Sequence, residues 1–478
     1  MDHMALLLRD VTIGFTGRRA DVRVDGRRVV AVEPPGLPTD GAEVVDGHGG
    51  TLLPGLVDAH AHLLQWASSL QRVPLADATS ATDAADLIAA AAVRPGELVQ
   101  GAGFFHALWP DRPHKTLLDR VLPDQPVALF SNDLHTLWLN SAAMRLVNVD
   151  HPTGVFIEDQ CMALTAALPT PSTDVTDRWV LDTTRAAAAQ GVTTIADYEY
   201  ADTVADWRRR ATPATRIRCV IAKFLLDETI DRGLRTGDQV GDRLTVGPLK
   251  IFMDGSLNTR TAYCHGTYPD GTYHGELLEP LDQLLPLLRT ADDNGIGLAL
   301  HAIGDHANTL ALDAFERLGV GGRIEHAQLV DPADLLRFAA LGVVAGVQPA
   351  HQPDDRDAAD HHWAGHTDRA FAYGSLHRAG ATLEFGSDAP VAPLDPWEAI
   401  AAAVTRTDDA RPGWHPEQSL PLEVAVAAST GGRGTTVTAG DPADLVLTGR
   451  TLTTLPPDEL RDLPILATVL DGGFTHRA

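Results

Sequence analysis

Between residues 55 and 388, eight short apolar segments alternate with helix-like stretches, and this rhythm restricts the fold more than any other feature of the chain. The segments are GLVDAHAHL (55–63), GVTTIADYE (191–199), RIRCVIAKF (216–224), LTVGPLKIFMD (244–254), GIGLALH (295–301), GRIEHAQ (322–328), GVVAGVQP (342–349) and ATLEFGSD (381–388). Each is a short apolar run, which reads as a strand. Stretches such as 281–294, 305–318 and 331–341 between them read as helices. Strands and helices in alternation predict parallel βα units, and eight such units predict a closed (β/α)₈ barrel of the TIM type rather than an open sheet. Residues from about 64 to 173 do not follow the rhythm and read as an insertion after the first barrel strand.

The two ends have a different character. LLLRDVTIGF, ADVRVDGRRVVAVE and AEVVDGHGGTLL near the start, and ADLVLTG and ILATVLDGGFTHR near the end, are short strands set off by Gly, Asp and Pro turn signals. The expectation is a small composite β-sandwich made from residues 1–54 and 435–478, with the barrel occupying 55–434. A chain of 478 residues, 44% of them hydrophobic, has enough material for one large core and a satellite.

Charge narrows the partners. Lys and Arg number 38 against 64 Asp and Glu, a formal charge of −26, which repels nucleic-acid phosphates and anionic lipid heads. The expected partner is therefore a small-molecule substrate, with neither nucleic acid nor membrane; self-association into a homo-oligomer is left open. Cys161, Cys219 and Cys264 are odd in number and far apart, so they spell neither a disulfide framework nor a cysteine zinc site. No apolar run approaches the roughly 18 residues that span a bilayer, and the first residues lack the pattern of a secretory signal. The expectation is a cytoplasmic protein.

The chemistry-bearing residues gather at strand ends. His60 and His62 are two apart on a strand, so their side chains leave one face and can converge on one metal. His301 closes GLALH, His326 follows RIE and Asp388 ends LEFGSD, all at carboxyl ends of predicted barrel strands, where active sites of this fold lie. One histidine in such a place reads as packing; three further metal-competent residues on three different strands do not. Lys250 lies inside the apolar strand GPLKIFMD, where an unpaired ammonium bears a large desolvation cost. Two readings fit: an ion pair with Asp254 or another inward carboxylate, or conversion to a carbamate that ligates metal as an anion.

These residues, with LLPGLVDAHAHL, DQPVALFSNDLHTLWLNSAA, GVTTIADYE, PLKIFMDGSLNTRTA, LHAIGDHAN, RIEHAQ, VQPAH, FGSDAPV and GDPADLVL in that order, resemble the amidohydrolase superfamily, in its family 3 branch. The resemblance runs over nearly the whole chain. It departs at GAGFFHALW (101–109), where relatives usually carry a Gly-Trp-Asp type segment, at Asn258, which replaces a usual small residue, and at a short Thr430–Gly440 stretch. It implies a metal-dependent hydrolase with one or two divalent metals, zinc being the expected ion. The implied ligands are His60, His62, Lys250 as a carboxylated lysine, His301, His326 and Asp388.

The implied reaction is hydrolysis of a non-peptide carbon–nitrogen bond, in an amide, formamide or cyclic amide, by a metal-activated hydroxide. Asp388 is the expected proton carrier, with Lys250 and His326 completing the catalytic set. His135, Arg260, Gln348 and His351 are the expected substrate contacts, each with a structural hydrogen bond as the alternative. DDRDAADHHWAGH (354–366) reads as a solvated loop or lid rather than a second metal site. The rival activities are deamination and ester or lactone hydrolysis on the same barrel, and the rival outside enzymes is a binding protein that has lost catalysis.

Overall fold

Each of the eight apolar segments forms a strand, and the strands pair in parallel in chain order. In the computed structural model, which describes residues 5–91, 98–104, 106, 109–131, 136–157, 159–169, 171–269 and 271–478, the barrel strands are β1 Leu56–Ala61, β2 Val192–Asp197, β3 Arg216–Ala222, β4 Leu244–Phe252, β5 Leu298–Ala302, β6 Gly322–His326, β7 Val343–Val347 and β8 Thr382–Phe385. Their order in the sheet is β1 to β8 without a crossover, and the short Gln239–Gly241 strand pairs with β4. Every residue of β1 and β5 is buried, as expected of a parallel sheet covered on its outer face by helices. Helices Leu281–Asp293 and Asp305–Leu318 precede and follow β5, and Gly319 at φ 71° ends the second in the left-handed conformation that glycine adopts without strain.

The ring is nearly closed. No ladder joins β8 to β1, but the Asp388 N–H donates to the His60 carbonyl at 2.6 Å and the His62 N–H to the Ala389 carbonyl at 2.8 Å. Three of the expected metal ligands, His60, His62 and Asp388, are thus stitched across the seam by their own backbone. The approach is close: a Cβ at Gly386 would stand 2.6 Å from both Cβ and N of His60.

The ends of the chain meet in a second sheet. Thr51–Pro54 pairs antiparallel with Leu445–Thr448, setting Leu52, Leu53 and Pro54 opposite Leu447, Val446 and Leu445. Through this pair, the strands Leu6–Ile13, Arg19–Asp25, Arg28–Glu33 and Glu43–Asp46 join Ile465–Leu470 and Gly473–Arg477 in one eight-stranded sheet. Its apolar cluster draws on both ends, from Leu6, Leu8 and Val22 to Leu445, Ala467 and Val469.

The described chain divides into two compact units, Met1–Leu63 with Leu181–Ala478, and Leu64–Val180. The second unit has its own five-stranded sheet, running Val155–Ile157, Thr136–Leu139, Val127–Ser131, Val99–Phe104 and Val73–Pro74, and its own core around Phe104, Leu129 and Trp138. The three cysteines are free and buried, and among the described residues no helix is long and apolar enough to cross a membrane.

One expectation is corrected. Residues 354–366 do not form a loop throughout: His351–His362 is a helix. The polar composition that reads as a loop also suits a helix, because Pro353 sits in the first turn, Asp354 lies at the positive end of the helix dipole, and His361 and His362 lie at the negative end.

Candidate metal centre

Strand pitch explains which side chains face the barrel interior. Lys250 stands opposite Ala299 in the β4–β5 ladder and His301 lies two residues beyond Ala299, so Lys250 and His301 share the inner face. On β6, Arg323 and Glu325 occupy that face, and regular alternation would turn His326 toward the outer helices. His326 instead has φ 77° and Ala327 φ 42°. This left-handed break, which costs about 1–3 kcal/mol per residue, re-aims the imidazole to 4.4 Å from the ring of His301 and 5.2 Å from that of His60. Asp388, at φ 55°, breaks from β8 in the same way.

The centre is built around Asp388. Its Oδ1 lies 3.2 Å from His62 Nε2 and 3.6 Å from His60 Nε2, while its Oδ2 lies 3.9 Å from His351 Nε2. Ligand atoms of His60, His62 and Asp388 fall within 4.8 Å of one another, and so do those of His326, His351 and Asp388. Burial pushes the Asp388 carboxyl up, but the His62 hydrogen bond and the neighbouring imidazoles override it and hold the group well below the usual carboxylate range.

Burial also keeps His60, His301 and His326 neutral. It pulls His60 down to about 4, His301 to about 3 and His326 well below its ordinary value, in each case helped by the charge of Lys250. A neutral imidazole is the form that binds metal. His60 Nδ1 lies 2.9 Å from Glu325 Oε2, and His301 Nε2 lies 3.2 Å from the Gly255 carbonyl. Both partners can only accept, so each of these nitrogens carries the proton and the other nitrogen of each ring keeps a lone pair. Those free positions, His60 Nε2 and His301 Nδ1, are buried without a hydrogen-bond partner, as are Nδ1 of His62 and of His326. An unpartnered buried polar atom costs about 1–3 kcal/mol; the free His60 Nε2, 3.6 Å from Asp388 Oδ1, and the gathering of His60, His62 and Asp388 ligand atoms within 4.8 Å fit a divalent cation, which takes imidazole nitrogen and carboxylate oxygen.

Lys250 is buried, with Nζ 4.9 Å from the ring centres of both Tyr198 and Phe252. Burial pulls its amine down to about 8 against the carboxylates of Glu325 and Asp388. Among the described residues no carboxylate lies within ion-pair distance of it. Asp254 has other partners: it accepts from the backbone N–H groups of Tyr263 at 2.8 Å, Gly304 at 2.9 Å and Ile303 at 3.0 Å.

Of the expected substrate contacts, His351 enters the centre itself. Gln348 is buried at the end of β7, where its Nε2 donates to the Gly346 carbonyl at 3.1 Å and its Oε1 has no partner. Arg260 is exposed in the segment after β4, and its charge acts on His362. His135 lies outside the described residues.

Sequence reasoning missed Glu325 and Tyr198. Glu325 is fully buried and also accepts from Arg323 Nε at 2.7 Å and the Tyr198 hydroxyl at 2.8 Å, while Arg323 reaches on to Glu384. Burial raises the Glu325 carboxyl, but Arg323 and His60 together hold it well below its ordinary range. Tyr198 stacks on His60, rings 3.8 Å apart and 8° from parallel. The available signal was the pair of charges two apart, Arg323 and Glu325, inside an apolar strand.

Comparison with known proteins agrees with this architecture. The chain is similar to the protein LONG AFTER FAR-RED 3 of Arabidopsis thaliana, 28% identical over 91% of this chain and 80% of that protein. It is 26% identical to an N-substituted formamide deformylase of Arthrobacter pascens, over 94% of each chain. Its fold matches the crystal structure of an uncharacterized metal-dependent hydrolase from Pyrococcus horikoshii with a TM-score of 0.81, at 23% identity, over 95% of this chain and 99% of that one. Residues 43–476 match the model of the Amidohydrolase family, a span that holds the whole barrel and every residue of the centre, and the chain therefore belongs to that family of enzymes acting on carbon–nitrogen bonds.

Proposed function

We propose that the chain hydrolyses a non-peptide carbon–nitrogen bond of a small molecule, in an amide, formamide or cyclic amide, at the centre formed by His60, His62, Lys250, His301, His326 and Asp388. The observation that carries this reading is the convergence of His60 and His62, and of His326 and His351, on the one ionised carboxylate of Asp388, ligand atoms within 4.8 Å in each group, with His60 Nε2 buried and partnerless beside it. His60 and His62 would hold one ion; His301 and His326 would face a second where two are bound. A divalent cation in such a site acidifies a coordinated water toward neutrality and polarises a substrate carbonyl.

The chain's own groups supply the rest. Asp388 is ionised, so it can take the proton of the attacking water and return it to the leaving nitrogen, which must be protonated to depart as an amine. Its Oδ1 faces His60 and His62, so both transfers occur beside the histidines. Formamide chemistry is favoured by the similarity to the Arthrobacter deformylase. The resemblance also leads us to read the terminal sheet, whose apolar cluster joins both chain ends, as the composite β-sandwich.

Asp388→Asn should retain metal yet lower turnover by about 10²–10⁴-fold, because an amide coordinates weakly but takes no proton. Metal content and amine release, measured together, check it; activity within a few-fold of the parent would remove Asp388 from the proton-carrying role.

For Lys250 we favour the carbamate. An amine drawn down to about 8 is partly neutral at physiological pH and can attack carbon dioxide, forming an N–C bond and releasing a proton. The product is an anion aimed at the cation site. Lys250→Ala should then regain activity with added short-chain carboxylic acids, which replace the missing carboxylate. Absence of rescue across a series of such acids would favour a plain amine.

A further inference from the structure

Among the described residues of the unit carrying the barrel, six large apolar side chains are exposed: Val30, Tyr200, Phe224, Leu278, Leu336 and Val391. Four of them, Tyr200, Phe224, Leu278 and Val391, lie in segments that follow the carboxyl ends of β2, β3, β4 and β8, at the mouth of the barrel. Apolar side chains scattered singly over a surface need no explanation, but a contiguous group at a catalytic mouth does.

The aromatic members form a strip that begins at the metal centre. The ring of Phe252, half-buried at the end of β4, lies 5.1 Å from that of His301. Tyr200 meets Phe252 edge-on at 6.1 Å, and Phe224 meets Tyr200 edge-on at 5.1 Å. Tyr200 is 51% exposed and Phe224 60%. Beside the strip, the Leu278 N–H donates to the Met253 carbonyl at 2.8 Å, and Lys223 pairs with Glu279, tying the segments that carry Phe224 and Leu278 together and neutralising their charge. Edge-on packing leaves ring faces open, and rings bring large contact area with little rotamer entropy to lose.

We propose that Phe252, Tyr200 and Phe224 form a subsite for an aryl or similarly large apolar substituent attached on one side of the scissile bond. The occupant follows from continuity: a group bound on the strip, which begins 5.1 Å from the ring of His301, is joined through the substrate to a bond cleaved at the adjoining centre. The inference rests on the hydrolytic reading above.

The test pairs turnover with a binding measurement that needs none. Zinc-loaded parent, the double variant Tyr200→Ser with Phe224→Ser, and the control Leu336→Ser are assayed on N-methylformamide and N-(2-phenylethyl)formamide. Saturation-transfer NMR then compares the binding of 2-phenylethylamine and ethylamine to each protein. The parent and the control should favour the phenyl substrate in kcat/KM by at least about tenfold, and the double variant should lose about tenfold of that ratio. The NMR preference for 2-phenylethylamine should be lost in parallel. If neither formamide is cleaved, the hydrolytic reading fails on this pair and the NMR comparison alone decides the subsite. Equal binding of the two amines to the parent would overturn the proposal. So would a ratio unchanged in the double variant; a changed oligomeric state with an unchanged ratio would assign the strip to self-association.

Discussion

At 2.9 Å from His60 Nδ1, the ionised Glu325 carboxylate determines which nitrogen of that ring can serve a cation. It accepts a hydrogen bond from Nδ1–H, and the lone pair of Nε2 is left toward Asp388. Tyr198 fixes the plane of the same ring by stacking while its hydroxyl holds the other oxygen of Glu325. Glu325→Gln keeps the shape but removes the charge that specifies the tautomer, and it should weaken metal affinity by about 10–100-fold. Competition with a chromophoric chelator measures this without turnover; an affinity equal to the parent's would mean that His60 needs no such partner. His60, His62, His301, His326 and Asp388 were legible because metal-competent residues at strand ends form a pattern along the chain. Glu325 was not, because an acidic residue beside a histidine announces no role until the fold shows which of the two faces inward. His351 stands nearer the centre than its reading as a substrate contact conveyed, since the turn after β7 brings its ring 3.9 Å from Asp388.

Among the elements, the seam between β8 and β1 matters most for the site. It lacks a ladder and is held by the Asp388 to His60 and His62 to Ala389 backbone hydrogen bonds, which Gly386 permits by having no Cβ. Gly386→Ala would drive a methyl group into the backbone of His60, where no flexible side chain can yield. We expect a loss of about 1–3 kcal/mol in stability and a larger proportional loss of metal affinity than at Glu325, since His60 and Asp388 would both shift. Urea unfolding and the chelator assay check the two parts; unchanged affinity would show that the seam does not position the centre. The strands themselves were readable, because an apolar run bounded by turn residues satisfies only a buried strand when it recurs eight times. The left-handed turns at His326 and Asp388 were not, as the preference of His and Asp for positive φ is too weak to single out two positions among so many of both types. The helix His351–His362 was hidden for a related reason: its sequence is polar nearly all round and lacks the apolar stripe by which helices are read.

At the scale of the whole molecule, a chain with a formal charge of −26 places Lys250 and the metal-competent groups around Asp388 inside one barrel and brings its two ends together in one sheet. The pairing of Thr51–Pro54 with Leu445–Thr448 was foreseeable from the like character of the two ends, and the register was not. The family model reaches from residue 43 to 476, across the barrel and the strands of the terminal sheet from Glu43–Asp46 onward. Within it the central claim is that the cluster around Asp388 is a metal centre that cleaves carbon–nitrogen bonds. The most direct test strips the protein of metal, titrates it with zinc and follows amine release from a panel of N-formyl, N-acyl and cyclic amides. The account predicts no release from the stripped protein and a rise that saturates at one or two equivalents of zinc per chain. Failure to bind zinc specifically, with no release from any member of the panel, would contradict it and leave the barrel as a binding protein.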